Sequence, residues 1–322
     1  MAKNEKAGAA AGEKGKPDGD AKAERTREVP PLQPGQYSDG HPLDDVQYLE
    51  CKLILKPDRF TAPEHFLDYG KLVSRTAAEF DIALDGKGIA LDPDIREVLF
   101  LDTADFRLYN NAFILRRRIP YRKGFPVGDP EIVLKYRHPD QQQAAEVDIR
   151  PNLPGAYRIK FKCEALPLKD KVGGYRLLFS HNVEFGLSQV PEGDQTAMAA
   201  LAKIFPCLKP LKKSAADHVE LVNRTIVEEV LQELGVLDFG KGVTAKCNVA
   251  LWRERGRHRP LCGEFAFQAK FKRRDELGEK AIDRMRSFFV ALQHAGADWL
   301  SLGTTKTGMV YRLNGNPPQA HE

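Results

Sequence analysis

The sequence predicts an α+β protein built on an antiparallel sheet of about eight strands, with helices packed outside it. Three observations carry that reading. From Tyr48 onward, apolar and polar residues alternate in short runs bounded by Gly, Pro or Asp, as half-buried strands do. Two segments, 63–80 and 275–294, instead place apolar residues at helical spacing. The polar faces of the alternating runs are rich in lysine and arginine.

In chain order, residues 1–28 are mostly Ala, Gly, Lys and Glu without an aromatic residue, and Pro30, Pro31 and Pro34 follow. Such a composition cannot bury a core, so 1–40 is expected to be a disordered tail and a proline-stiffened linker. The folded domain then spans 41–315, with 316–322 a flexible C-terminus. In its first strand Leu49, Cys51, Leu53 and Leu55 share one face and Tyr48, Glu50 and Lys52 the other. Phe66, Leu67, Val73, Ala77 and Phe80 mark the first helix, with Pro63 and Glu64 near its start. VLFLDTADFRLYNNAFILRRR reads as a strand, a polar loop and a second strand that Pro120 ends. Alternation predicts further strands at Glu131–Arg137, AAEVDIR, Tyr157–Glu164, Lys246–Trp252 and Glu264–Lys272. Thr196–Phe205 suits a short helix. IVEEVLQEL suits a helix by propensity and a strand by context. Asp275–His294 is a helix with Ile282, Met285, Phe288, Phe289 and Leu292 as its buried stripe, ended by Gly296.

The polar faces carry Lys52, Arg116, Arg118, Lys135, Arg137, Arg158, Lys160, Lys162, Lys246 and Lys270, against Glu50, Glu146, Asp148, Glu164 and Glu264. On an open sheet these side chains would simply meet water. If the sheet closes they line its interior, where crowded cations repel one another and lose hydration unless carboxylates, water and a polyanion fill the space. Phosphate chains suit such an interior, because arginine offers a planar fork and lysine a compact charge.

These residues resemble the CYTH, or triphosphate tunnel metalloenzyme, superfamily, over about Tyr48 to Leu313. YLECKL is similar to its opening Glu-x-Glu-x-Lys strand, and LFLDTADFRLYNNAFILRRR to its Tyr-Tyr-Asp-Thr-Pro-Asp segment and the strand with two inward arginines, here Arg116 and Arg118. IVLKYR resembles the strand that supplies a phosphate-binding lysine, here Lys135. EVDIR resembles the acidic strand that follows, GEFAFQ the late Glu-x-Glu strand, and GTTKTGMVYRL the closing lysine segment with Lys306. The resemblance implies a closed antiparallel eight-stranded β-barrel, a tunnel with helices outside. It also implies metal-dependent hydrolysis of inorganic triphosphate, thiamine triphosphate or a nucleotide. Lys52, Arg116, Arg118, Lys135, Arg137 and Lys306 would bind phosphate, Lys52 and Glu50 would act in catalysis, and Glu50, Glu264, Glu146 and Asp148 would hold Mg²⁺ or Mn²⁺. Two positions depart from the pattern: Tyr48 replaces the first glutamate, and Ala266 or Gln268 stands where the late strand carries its second carboxylate. A non-catalytic binder of polyphosphate or a phosphorylated metabolite is therefore one alternative, and a class IV-like adenylate cyclase a second.

Composition narrows the partners. With 49 Lys plus Arg against 45 Asp plus Glu among 322 residues, whole-molecule charge does not argue for nucleic acid. No run approaches the roughly 18 apolar residues of a membrane span. Cys51, Cys163, Cys207, Cys247 and Cys262 form no CxxC pair, which favours a reducing cytoplasm over a disulfide framework or zinc site. The expected partner is a small polyanionic phosphate. GVLDFGKG nearly matches a phosphate-binding loop, but Gly242 stands in place of its Ser or Thr, so a glycine-rich turn is expected. His138 and His181 share no spacing with other histidines, Trp252 and Trp299 are read as core, and Arg253, Arg255, Arg257 and Arg259 as a solvated hairpin tip.

Overall fold

The computed structural model describes residues 46–87, 91–193, 195–271 and 276–314. The expected tail, linker and C-terminus, with Lys272 and Asp275, lie outside the described residues. The chain enters on β1 (Tyr48–Leu55), followed by α1 (Glu64–Ala78), the short β2 (Ala83–Asp85), β3 (Asp94–Asp102), α2 (Arg107–Asn110) and β4 (Phe113–Arg122). A two-residue β5 (Phe125–Pro126) folds back on β4, and β6 (Glu131–His138), α3 (Gln141–Glu146), β7 (Arg158–Pro167) and β8 (Tyr175–Gly186) follow. Then come α4 (Met198–Ile204), the strands β9 (Glu220–Asp238), β10 (Thr244–Glu254) and β11 (Pro260–Lys270), and the helices α5 (Glu279–Ala295) and α6 (Lys306–Tyr311).

The strands close into a ring in the order β10-β11-β1-β7-β8-β6-β4-β3-β9, and β9 pairs with β10 to complete it. Residues Val227–Leu231 of β9 are paired on both sides, with β10 and with β3. The barrel thus has nine strands where the sequence predicts about eight, and it is not wholly antiparallel. The two corrections are one fact. Strand direction can alternate all the way round a closed ring only if the number is even, so nine strands require a parallel contact. It falls between β1 and β7, Tyr48–Cys51 against Lys162–Ala165.

Two strands join the expected set and one leaves it. YRLLFSHNVEFG is β8, and the ambiguous IVEEVLQEL lies within β9, where pairing on both edges overrides the helical propensity of Glu, Leu and Gln. AAEVDIR is not a strand. Its first part ends α3, which Asp140 caps by accepting from Gln143 N at 2.8 Å, and Val147–Arg150 continues as coil.

Both outer faces are covered by helices. Phe66, Tyr69, Val73 and Ala77 of α1 and Met285, Phe288, Phe289 and Leu292 of α5 pack on Leu53, Leu55, Val249, Phe265 and Phe267. Met198, Leu201 and Ile204 of α4 cover Phe113, Leu115, Leu134 and Val183. A third cluster lies within the ring. Ile54, Phe100, Ile114, Ala250 and Trp252 point inward and meet Tyr109 of α2 and Val310 and Tyr311 of α6, with the Tyr109 and Tyr311 rings stacked at 4.0 Å. This apolar plug fills one end of the barrel. Lys246 and Lys270 are exposed at the other.

Candidate anion-binding site

Strand pleating sorts the polar residues, since alternate positions face the same side. Lys52 pairs with Ala266, Glu50 with Gln268 and with Glu164, Lys135 with Asn182 and Ile114, Arg116 with Phe100 and Val133, and Arg118 with Val98 and Glu131. The register thereby turns Lys52, Arg116, Arg118, Lys135, Arg137, Lys160 and Lys162 into the ring, together with Arg96 of β3. Lys306, at the start of α6, reaches the same interior through Glu264 at 2.5 Å. Among the described residues, these nine cations share the space chiefly with six inward carboxylates, Glu50, Glu131, Glu164, Glu184, Glu229 and Glu264, while Arg158 adds a further cation at the mouth.

The ion pairs divide into groups. Glu164 is buried and meets Lys52 at 3.2 Å, Arg137 at 3.2 Å and Lys135 more closely, while Ser180 Oγ donates to it at 3.2 Å. Glu50 lies 3.0 Å from Lys52 and 3.2 Å from Lys162, whose Nζ also donates to Gln268 at 2.6 Å. Glu229 accepts from Trp252 Nε1 at 2.8 Å and pairs with Arg96 and, at 3.5 Å, with Lys306. Near the mouth Glu131 holds Arg118 at 3.0 Å and the exposed Arg158 at 3.3 Å, and Glu184 holds Lys160. Arg116 pairs with none of these carboxylates. Its guanidinium lies 5.9 Å over the Phe100 ring, and its buried Nε makes no hydrogen bond.

The titration behaviour follows. Burial alone would raise the carboxyls, but Lys162 and Lys52 hold Glu50 well below the usual range, and Lys135, Lys52 and Arg137 do the same for Glu164. Cations pay the cost of crowding instead. Burial and the guanidinium groups of Arg118 and Arg137 bring Arg116 down to about 9. Lys135, although bonded to Glu164, is pushed well below the lysine range by burial and by Arg137, because that one carboxylate is shared among three cations. Lys162 is lowered too, by burial first, while Lys52, set between Glu164 and Glu50, is raised despite its burial. The interior is short of negative charge.

The carboxylates do not suit the divalent ion that the resemblance implies. Glu264 pairs in register with Ile54, four residues along β1 from Glu50, so the two stand about 13 Å apart along the strands. Glu146 is exposed at the end of α3 and accepts from Gln142, and Asp148 pairs with Arg150 at 3.0 Å in the coil outside the ring. Among the described residues no three His, Cys, Asp or Glu side chains form a group that could hold a metal.

Four participants were not singled out from the sequence: Arg96, Glu131, Glu184 and Glu229. Glu229 would have emerged from the Val227-Glu229-Leu231 alternation once that segment is read as a strand. The weaker motifs lie elsewhere. GVLDFGKG ends β9 and turns into β10, with Gly240 and Gly242 at positive φ. His181 faces outward against Phe161, 4.3 Å between ring centres, and His138 accepts from Asp140 N. Trp299 packs on Phe60 and Tyr69. Arg255 and Arg259 of the hairpin tip pair with Glu97 and Glu254. A cavity of about 280 Å³ near Asp102, Thr103, Arg224 and Asn314 lies at the plugged end, away from the interior cations.

No protein-family model and no curated protein matches the chain. Among solved structures it is similar to HpAC1 from Hippeastrum, an adenylyl cyclase candidate described as having a dominant triphosphatase activity. Identity is 12% over 86% of this chain and 100% of that one, with a TM-score of 0.40. An adenylate cyclase candidate from Bacillus halodurans is 13% identical over 81% of this chain and 95% of its own, with a TM-score of 0.35. A Pyrococcus horikoshii protein is 13% identical over 82% and 97%, with a TM-score of 0.33. No helix among the described residues is long and apolar enough to cross a membrane.

Proposed function

We propose that the barrel interior binds the phosphate chain of a triphosphate-containing substrate and that the protein hydrolyses it. One observation carries this reading: the closed interior holds more cations than carboxylates among the described residues and leaves the half-buried Arg116 without an ion pair, its buried Nε unbonded. In this reading Arg116, Arg118, Arg137, Lys52, Lys135 and Lys306 take the phosphate oxygens. Water attacks the terminal phosphorus, the bridging P–O bond breaks, and orthophosphate leaves with the water's oxygen. Such a reaction depends on positioning and on neutralising spread negative charge, which fixed guanidinium and ammonium groups supply.

A second reading, binding without turnover, is favoured by a separate observation: the central carboxylates Glu50, Glu164, Glu229 and Glu264 each already hold a cation, so none stands free as a general base. Incubating purified protein with inorganic triphosphate, thiamine triphosphate and ATP, in turn with Mg²⁺, with Mn²⁺ and with chelator, separates the two. Phosphate release lost in Arg116→Ala and Lys135→Ala supports hydrolysis in the barrel, tight binding with no release supports the second reading, and cyclic AMP from ATP would show cyclisation instead. If both variants bind triphosphate as tightly as the unaltered protein, the site is misassigned.

A further inference from the structure

Among the described residues, carboxylates converge deep in the barrel around Lys52 and around Lys306, and an ammonium group fills each place; at the mouth Glu131 and Glu184 converge on the Arg158 guanidinium. Lys52 Nζ lies 3.0 Å from Glu50 and 3.2 Å from Glu164, and Lys306 Nζ lies 2.5 Å from Glu264 and 3.5 Å from Glu229. A magnesium ion would need those same oxygens at about 2.1 Å in an octahedral set, and a dication cannot share them with a lysine.

Neither place favours a dication over the lysine that fills it. Around Glu50 and Glu164 stand three further cations, Lys135, Arg137 and Lys162, so a dication would still enter a field with more positive than negative charge. Lys306 is held over the Trp252 ring at 4.5 Å and opens a helix whose cap, Thr305, accepts from Gly308 N at 3.0 Å. Tyr48 points the same way. Its ring takes Lys162 at 5.6 Å and Lys270 at 5.8 Å, so at this position an aromatic face receives ammonium groups and offers no carboxylate to a metal.

We infer that the barrel takes its phosphate chain as the metal-free polyanion, with Lys52 and Lys306 standing where a divalent ion would. This rests on the triphosphate reading above. When the anion enters, these ammonium groups turn from carboxylate to phosphate oxygen, so the carboxylates compete with the ligand and do not assist it. A metal-bridged site would behave in the opposite way, losing affinity with each carboxylate removed.

The test is calorimetric titration of the full chain with sodium tripolyphosphate, once with EDTA and once with saturating Mg²⁺ at matched ionic strength, repeated with Glu50→Gln. Affinity in EDTA at least equal to that in Mg²⁺, together with severalfold tighter binding by Glu50→Gln, is the expected result. A tenfold or greater loss in EDTA, or weaker binding by Glu50→Gln as judged on folded protein by circular dichroism, overturns the inference while leaving the triphosphate reading in place. Absence of binding in both buffers overturns that reading, and the inference with it.

Discussion

Arg116 carries a charge that its surroundings do not balance, and two consequences follow at that one position. Replacing a buried ion pair by apolar residues of similar volume is often neutral or stabilising by about 1–4 kcal/mol, and the half-buried Arg116 has no ion pair to lose. Arg116→Met is therefore expected to raise the melting temperature of the ligand-free protein while weakening tripolyphosphate binding at least tenfold, measured by scanning and titration calorimetry on the same preparation. A variant that loses stability would show that Arg116 is held by contacts other than those described. Asp102 gives a second residue-scale test. Its buried carboxylate accepts from Leu108 N at 2.8 Å, Tyr109 N at 2.9 Å and Tyr311 Oη at 3.0 Å, yet burial outweighs these bonds and pushes it up to about 6 from 3.8. Because the folded protein holds this proton more tightly than the unfolded chain, the contribution is complete below pH 4 and is lost as pH rises through 6, about 3 kcal/mol in all. Asp102→Asn should remove that slope, so the difference in unfolding free energy between variant and parent changes by about this amount between pH 3 and pH 7. An unchanged difference would place the Asp102 carboxyl in its ordinary range.

Among elements, β9 shows best what local sequence leaves open. The bulge at Leu234 lets Gly235 adopt φ +136°, and a β-carbon there would lie 2.4 Å from the Asp85 carbonyl oxygen of β2. Gly235→Ala is expected to cost about 1–3 kcal/mol, read as a shift in the denaturant midpoint, and to leave phosphate binding intact in the protein that folds. The same strand was only half legible. Its glutamates, leucines and glutamine favour a helix, and what fixes it as a strand is pairing with β3 and β10, partners more than a hundred and fewer than thirty residues away respectively, so no short window holds the answer. By contrast the alternation in YLECKL, FILRRR, IVLKYR and YRIKFKCE was clear from sequence, because one face of each strand packs under a helix and the other meets charge. EVDIR misled for a local reason: its alternation is genuine, but the Asp140 cap starts a helix just before it.

For the molecule as a whole, closure is what makes scattered cations into a site, and pH should report on it. Lys135 and Lys162 are both pushed below the usual lysine range, and an incoming anion favours their protonated forms. Tripolyphosphate binding should therefore be accompanied by net proton uptake, seen as different apparent enthalpies in buffers of different ionisation heat, and affinity should fall as pH rises. Proton release on binding, or affinity that grows with pH, would contradict the assignment of these lysines. Raised salt should weaken binding less than at an exposed basic patch, because the walls exclude counterions. Finally, Phe100, Trp252 and Tyr311 stop the bore at one end. A long chain cannot thread through such a blind socket. It can only be inserted tip-first and withdrawn by the same door, so hydrolysis in the proposed reading would shorten a polymer from its extremity and not cut it in mid-length.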